Sequence, residues 1–419
     1  MMADFISIRD DLIVVGAGPA GLMAALLCAE AGLRIRILEK TAKPGRKLML
    51  TGSGQCNLTH DGAIREFLPH YAEHSNFIKR ALLGFTNQDL MDFFTSRGIP
   101  LITRKDGKIF PAGLQAGMIL NTLLNRIRAA GGILECNSAV TRIDVDSAGF
   151  YIETGKKKFQ AQRVLMACGG LSYPQTGSDG TGWKIARELG HCLIEPRPAL
   201  TPVYPYHFTW SHLAGLSFNS SIVSFGMDKK LKKQFSGELL ITHKGFSGPV
   251  ILHSSRYLAQ GHEISINFTG IPADQYNAQL LNQFRSHPTR NLENALSSGE
   301  LTRKFVATLL EELGIDGTVN CAQVTQNQRK NWVNTITNYR CVVEKIGGFE
   351  VAMVTAGGVS TDEINPKTLE SRQINSLYFA GEMINIDGDT GGFNLQAAFS
   401  TAVAAARSII ASFSTEPIQ

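Results

Sequence analysis

The sequence has no CxxC pair, no internal repeat and no low-complexity tract. Its seven cysteines (Cys28, Cys56, Cys136, Cys168, Cys192, Cys321 and Cys341) are odd in number and irregularly spaced. That spacing argues against a disulfide framework or a zinc site, so no metal is expected, and it fits a reducing compartment. Charge is also sparse: charged residues make up 18% of the 419, and 41 basic against 36 acidic residues leave a net charge of +5. A nucleic-acid binder usually gathers its Lys and Arg on one face. The densest basic runs here, Lys156-Lys157-Lys158 and Lys229-Lys230-Leu231-Lys232-Lys233, read as solvated hairpin tips, where lysine keeps an edge from sticking. On this ground a nucleic-acid partner is not expected. The one long uncharged stretch, Leu12 to Ala29, is broken by Gly16, Gly18, Pro19 and Gly21, has no positive segment leading into it, and is closed by Glu30. It therefore reads neither as a signal peptide nor as a membrane span, and a cytoplasmic protein without a membrane partner is expected.

What is abundant is glycine, 41 residues clustered in short motifs, in a chain that is 43% hydrophobic. Glycine lets the backbone turn, and approach a ligand, where other residues resist. The chain opens with an apolar strand at Leu12–Val15, a helix over Pro19–Ala31 ended by Gly32, and a second strand at Arg34–Leu38. This βαβ-type opening implies an α/β protein with a parallel sheet. Short alternating segments from Ile133 to Cys168, with turn signals at Ser147-Ala148-Gly149 and Gly155, predict a β-meander that returns to an apolar strand at Arg163–Ala167. Four prolines between Pro196 and Pro205 mark a boundary, and strand-like segments follow at Ser220–Phe225, Glu238–Thr242 and Glu263–Phe268. Leu301, Phe305, Leu309, Leu310 and Leu313 fall at helical spacing, and Thr325-x-x-Gln328 resembles a capping box. A long alanine-rich helix is predicted from about Asn394 to Ala411.

Gly16-Ala17-Gly18-Pro19-Ala20-Gly21 is a GxGxxG pattern set between a strand and a helix. In that context Gly16 makes the tight turn, Gly18 admits a pyrophosphate, and Gly21 lets helix and strand pack closely. The helix N-terminus offers free N–H groups and a partial positive charge to the phosphates. Glu39, 23 residues beyond Gly16, is placed to accept hydrogen bonds from an unphosphorylated ribose.

These features leave NAD and FAD both open, and the far end of the chain separates them. Leu377–Ala380 is an apolar strand ending in Gly381-Glu382, and Gly388 to Asn394 then leads into the last helix. An acid at a strand end can hold a ribityl chain. A helix N-terminus beyond it can face the N1–C2=O edge of a flavin and stabilise negative charge there. A nicotinamide-only enzyme has no need of this second assembly.

The whole chain resembles the HI0933-like (YhiN-type) flavoprotein family, within the glutathione-reductase-type FAD fold. The resemblance rests on Gly45 through Thr59 (GRKLMLTGSGQCNLT), Cys168 through Gly177 (CGGLSYPQTG), Gly237 through His243 (GELLITH), Thr355 through Val359 (TAGGV) and the two C-terminal blocks. It implies FAD cradled by Gly16 to Gly21, Glu39, Lys40, Arg46, Lys47, Gly169, Gly170, Gly381, Glu382, Gly392, Phe393 and Asn394, with the Val140 backbone at the adenine. It also implies a Rossmann-like FAD-binding domain built from both chain ends (1–195 and 346–419), a β-barrel insert (196–270 and 326–345) and a helical insert (271–325). The family loop usually carries an Arg where this chain has Gln55, and a Thr or Ala is common where Cys168 stands.

The flavin carries the hydride chemistry, and the protein supplies placement and electrostatics. Cys56 is the cysteine of the glycine-rich loop. It has no resolving partner nearby in sequence, so a packing or polar-lining role outweighs a redox one. Asn57 and Tyr173 are the other candidate catalytic residues, for hydrogen bonding and for stacking, and His243 reads as a structural histidine. No second GxGxxG follows, so no separate pyridine-nucleotide domain is expected: the flavin's electrons come from the substrate, from transiently bound NAD(P)H or from a partner protein, and O2 is a candidate acceptor. A small-molecule oxidoreductase is the leading expectation, with an FAD-dependent RNA-modifying or RNA-binding protein as the alternative.

Overall fold

The strand Arg9–Val15 is apolar and buried on both faces from Leu12 to Val15, because that half lies inside a parallel sheet. It pairs in parallel with Ile35–Leu38 on one side and with Lys158–Met166 on the other. The computed structural model describes residues 9–228, 231–299 and 301–414, which divide into two units: one from the two chain ends, through Pro198 and from Ala352 onward, and one spanning Ala199–Val351.

In the first unit the seven-stranded sheet runs Ile133–Glu135, Ile35–Leu38, Arg9–Val15, Lys158–Met166, Gly149–Thr154, Val140–Asp146, with Leu377–Phe379 also paired to Lys158–Met166. That nine-residue strand has two halves on its far side. Lys158 to Ala161 pairs antiparallel with the meander, and Val164 to Met166 pairs parallel with Leu377–Phe379. The second half of the sheet is thus completed from the C-terminal segment. Arg36, on an inner strand, is almost wholly buried, and Asp10 Oδ2 at 2.8 Å and Glu135 Oε1 at 2.5 Å answer its charge. The 22-residue helix Phe393–Ser414 has the length and apolar composition of a membrane span. Here its Phe399, Ala402, Val403, Ala406 and Ile409 sit in the unit's core, against the helices Pro19–Glu30 and Ser75–Gly84.

The second unit holds a closed barrel of six strands: Val203–Pro205, Phe246–Ser247, Leu231–Ile241, Ser217–Asp228, Glu263–Asn267 and Tyr339–Ile346. Helices Ala273–Ser286, Leu292–Leu296, Arg303–Glu312 and Gln326–Thr337 share its core, in which Trp210, Phe268, Phe305 and Tyr339 pack as an aromatic cluster. The segment 326–345, expected as barrel, is helical as far as Thr337. Both halves of the Thr325–Gln328 capping box form, at 3.2 and 2.9 Å, and start that helix. Lys156 to Lys158 turn the meander between Thr154 and Lys158. Of the second lysine run, Lys229 and Lys230 lie outside the described residues.

Candidate flavin-binding site

A cleft of about 1480 Å³, part of it open to solvent, runs through the first unit. Gly16, at φ +104°, makes the turn below it, and a Cβ there would meet Ala167 O at 2.5 Å. A Cβ on Gly21 would meet Gly16 O at 2.1 Å, so only glycine lets the helix pack this closely on the strand. A Cβ on Gly18 would meet nothing within 4 Å, because this residue faces the cleft. The helix starting at Pro19 has no side-chain cap, so its first-turn N–H groups remain for an anion. Ala17, Pro19 and Ala20 also line the cleft, and Gly21 stands behind it.

At one end Glu39 is nearly buried and held fast. Its Oε2 accepts from Ala17 N at 2.9 Å, and its Oε1 accepts from Thr41 N at 2.8 Å and Thr41 Oγ1 at 2.7 Å. Val140, at the start of its strand, lines the same end. Lys40 donates to Asp179 Oδ2 at 2.5 Å, closing one wall of the cleft onto the loop after Gly177.

The middle is built from three distant segments. Gly45 N donates to Ala17 O at 2.9 Å, which brings Arg46 and Lys47 to the fingerprint. Arg46 is exposed and makes no hydrogen bond or ion pair among the described residues, so its guanidinium is available to an anion in the cleft. Lys47 Nζ donates to Glu382 Oε2 at 2.5 Å and to Ser172 Oγ. Glu382 Oε1 accepts from Ser172 Oγ and from Thr355 N, both at 2.8 Å. Thr355 Oγ1 in turn accepts from Leu171 N and Ser172 N. Gly169, at φ +77°, lines the cleft. Gly170 sits against Thr355 and Glu382, where a Cβ would come within 2.6 Å of Thr355 Oγ1.

At the far end Gly381 N donates to Thr401 Oγ1 at 3.0 Å, seating the Gly381-Glu382 turn on the last helix. Asn394 lines the cleft and latches the loop before its helix, accepting from Gly388 N at 2.9 Å and donating to the Gly388 and Asp389 carbonyls. Gly392 and Phe393 stand behind the cleft wall. Phe393 is stacked between His70, at 3.9 Å, and His60, at 5.3 Å, and its carbonyl accepts from Tyr71 Oη at 2.8 Å.

The three candidate catalytic residues do not line the cleft. Asn57 works behind it: with its amide oriented to satisfy both neighbours, it accepts from Gly392 N and donates to Thr59 O, each at 3.1 Å. Cys56 is fully buried at φ +62°, and burial pushes its thiol up to about 12. Tyr173 adopts a left-handed conformation, and its carbonyl accepts from Thr176 Oγ1 at 2.7 Å. His243 is exposed in the turn between two barrel strands. Cys168 lines the cleft, donates to Val15 O at 3.4 Å, and is also raised to about 12 by burial. Where the family carries Arg, Gln55 Oε1 accepts from Arg104 Nη2 at 2.5 Å, so a guanidinium reaches this loop from another segment.

Sequence reasoning missed Ser172 and Thr355 as the partners of Glu382, and Thr51, Ser178, Asp179, Thr181, Met353 and Ile386 in the lining. The run Gly177-Ser178-Asp179-Gly180-Thr181-Gly182 was the available signal, a second glycine-rich turn rich in small polar residues.

The donor set fits FAD. One glycine faces open space at an uncapped helix start, a fixed acid stands at the ribose end, an unpaired guanidinium lies between, and a second helix start closes the far end. Bound there, FAD supplies hydride transfer, and the protein is a flavin-dependent oxidoreductase. The chain matches the family model described as HI0933-like protein Rossmann domain over residues 10–408, and it belongs to that family. It is 32% identical over 414 residues, 97% of this chain and all of the relative, to a ribosomal RNA dihydrouridine synthase of Escherichia coli. It is 31% identical to a protein of the same description from Haemophilus influenzae, over 95% of this chain and 98% of the relative. It is 29% identical to a 3-dehydro-bile acid delta(4,6)-reductase of Clostridium scindens, over 94% of this chain and 97% of the relative.

Proposed function

We propose that the chain reduces a carbon–carbon double bond conjugated to a carbonyl, and that the bond is C5=C6 of a uridine in ribosomal RNA. The observation that carries this reading is that three relatives matched over nearly their whole length share one bond type. Dihydrouridine is uridine with its enone-like bond saturated, and a delta(4,6)-reductase saturates bonds conjugated to a steroid ketone. The two ribosomal RNA relatives favour an RNA substrate, expected from the sequence only as the alternative, over the small molecule that was the leading expectation.

Such a reduction adds a hydride at one carbon and a proton at its neighbour. On the chain's side, Lys47 Nζ lies on the cleft wall in contact with Ser172 Oγ and Glu382 Oε2. That network holds exchangeable protons at Nζ and keeps the ammonium in place. The electrons come from NAD(P)H, bound transiently, since the sequence has no second dinucleotide fingerprint. A second reading, reduction of a free conjugated ketone, rests on the Clostridium relative.

The test is anaerobic absorbance of the FAD-loaded protein with NADPH or NADH, followed by addition of ribosomal RNA lacking dihydrouridine. The expected result is that the nicotinamide bleaches the flavin, RNA restores the colour, and nucleoside mass spectrometry finds a uridine carrying two extra hydrogens. Recovery of colour by a conjugated steroid ketone but not by RNA would select the second reading. A flavin that neither donor reduces would sink both.

A further inference from the structure

We propose that a groove beside the flavin cleft holds the 2′-phosphorylated adenosine of NADPH, so that the chain takes its electrons from NADPH in preference to NADH. The inference rests on the reductase reading above and gives its electron donor a docking place. The groove, about 1190 Å³ and partly open to solvent, adjoins the cleft, since Arg46 and Thr176 line both. The helix Ala116–Ala129 forms one side and presents Leu120, Asn121 and Leu124; the segment from Lys43 to Leu50 forms another. All of its lining residues belong to the first unit. Adenosine seated there leaves the nicotinamide end to enter the cleft over the ridge of Arg46 and Thr176.

Charge and shape select this ligand. Met49 and Leu50 are exposed, and with Leu120 and Leu124 they give the groove an aliphatic floor on which a flat ring can lie. Single exposed apolar residues are ordinary, whereas four lining one concavity mark a ligand site. Lys43 and Arg46 are exposed at the rim, and neither side chain makes a hydrogen bond or ion pair among the described residues. No carboxylate lines the groove, so two cations stand there with nothing to answer them. A phosphate group answers both, taking a fork of donors from a guanidinium and a point charge from an ammonium. The cleft makes the opposite choice. Its ribose end is held by the fixed carboxylate of Glu39, which repels a 2′-phosphate and admits a bare ribose. The two sites therefore sort adenosines by their phosphorylation. A strand of RNA is tracked by a longer run of cations than these two supply.

The test uses the full FAD-loaded chain in two measurements. Anaerobic stopped-flow follows flavin reduction over a range of NADPH and NADH concentrations, and calorimetry titrates adenosine 2′,5′-bisphosphate into the oxidised protein. The unaltered chain should half-saturate at an NADPH concentration about tenfold or more below that for NADH. Lys43→Gln should raise the NADPH value about tenfold, leaving the NADH value and the limiting rate at saturation as they were. Asn121→Trp, which fills the groove, should abolish binding of the bisphosphate. In both variants FAD affinity and reduction by dithionite should match the unaltered chain, which shows that the fold and the cleft are intact. Equal use of the two donors by the unaltered chain would overturn the proposal, as would a Lys43→Gln variant that keeps its preference. Failure of the bisphosphate to bind the unaltered chain would overturn it too, whatever the donors do. If the bisphosphate binds and Lys43→Gln weakens it, while neither donor reduces the flavin, the groove stands as a site for phosphorylated adenosine and the reductase reading is what fails.

Discussion

Lys47 and Glu382, 335 residues apart in the chain, form an ion pair of 2.5 Å on the wall of the cleft. Glu382 serves three donors at once, from Lys47, Ser172 and Thr355, and so ties together segments from both chain ends.

Glu382→Gln keeps the size of the side chain and removes its charge. Charge-assisted bonds between part-buried partners contribute about 1.5–3 kcal/mol. The expected outcome is a dissociation constant for FAD raised about tenfold or more, read by flavin fluorescence titration, together with slower flavin reduction. Unchanged affinity and rate would show that the pair only braces the fold.

Two glycines of one motif should respond differently to the same substitution. Gly18→Ala puts a methyl into open space at an ordinary backbone conformation, φ −80° and ψ 179°. The cofactor-free protein should melt within a degree or two of its parent, yet bind FAD poorly, because the methyl occupies the pyrophosphate's approach. Gly21→Ala drives a Cβ into Gly16 O at 2.1 Å and should destabilise the cofactor-free protein by about 1–3 kcal/mol. Equal melting losses in the two variants would contradict this division of roles.

Alkaline conditions should unfold the protein through its buried thiols. Cys28 and Cys56 are fully buried, and burial raises each from 9.0 to about 12. Between those pH values the unfolded chain loses a proton at each thiol that the folded chain keeps. Stability is therefore whole below pH 9 and falls with rising pH, each thiol adding a slope of about 1.4 kcal/mol per unit. Urea unfolding at pH 8.5 and 10.5 checks it: replacing Cys28 and Cys56 by Ala should make the difference between the two pH values smaller.

Asp10→Ala should cost about 3–5 kcal/mol, since it strands the Arg36 guanidinium inside the sheet with only Glu135 to answer it. The double change Asp10→Leu with Arg36→Met should cost less than the single one, because no uncompensated charge stays buried. Equilibrium denaturation compares the two, and equal losses would show that the pair is not acting as a unit.

The nucleotide end of the site was legible because each of its roles constrains a residue type locally. Gly16, Gly18 and Gly21 answer to turn, approach and packing within six positions, and Glu39 follows at a fixed distance along the βαβ unit. The flavin end was legible only as blocks. Which atoms meet there depends on pairings such as Asn57 with Gly392 and Ser172 with Glu382, which no local spacing encodes. Cys56 sits in a glycine-rich loop and so invites a redox reading. The left-handed residues Gly52, Ser53 and Cys56 turn the chain so that the thiol faces the core. The same limit applies to residues 326–345, where the capping box gave the helix correctly and only the assignment of that stretch to the barrel was coarse.

The strand Lys158–Met166 waits for a neighbour more than two hundred residues downstream, at Leu377–Phe379. During synthesis the whole second unit leaves the ribosome before the central sheet can close. Until then the exposed edge and apolar flank of that strand are open to wrong partners, and the cleft lacks Gly381, Glu382 and Asn394. Flavin capture is therefore a late event in the life of each molecule. Cofactor content marks chains that have been completed, since FAD cannot protect a nascent one whose cleft is unfinished.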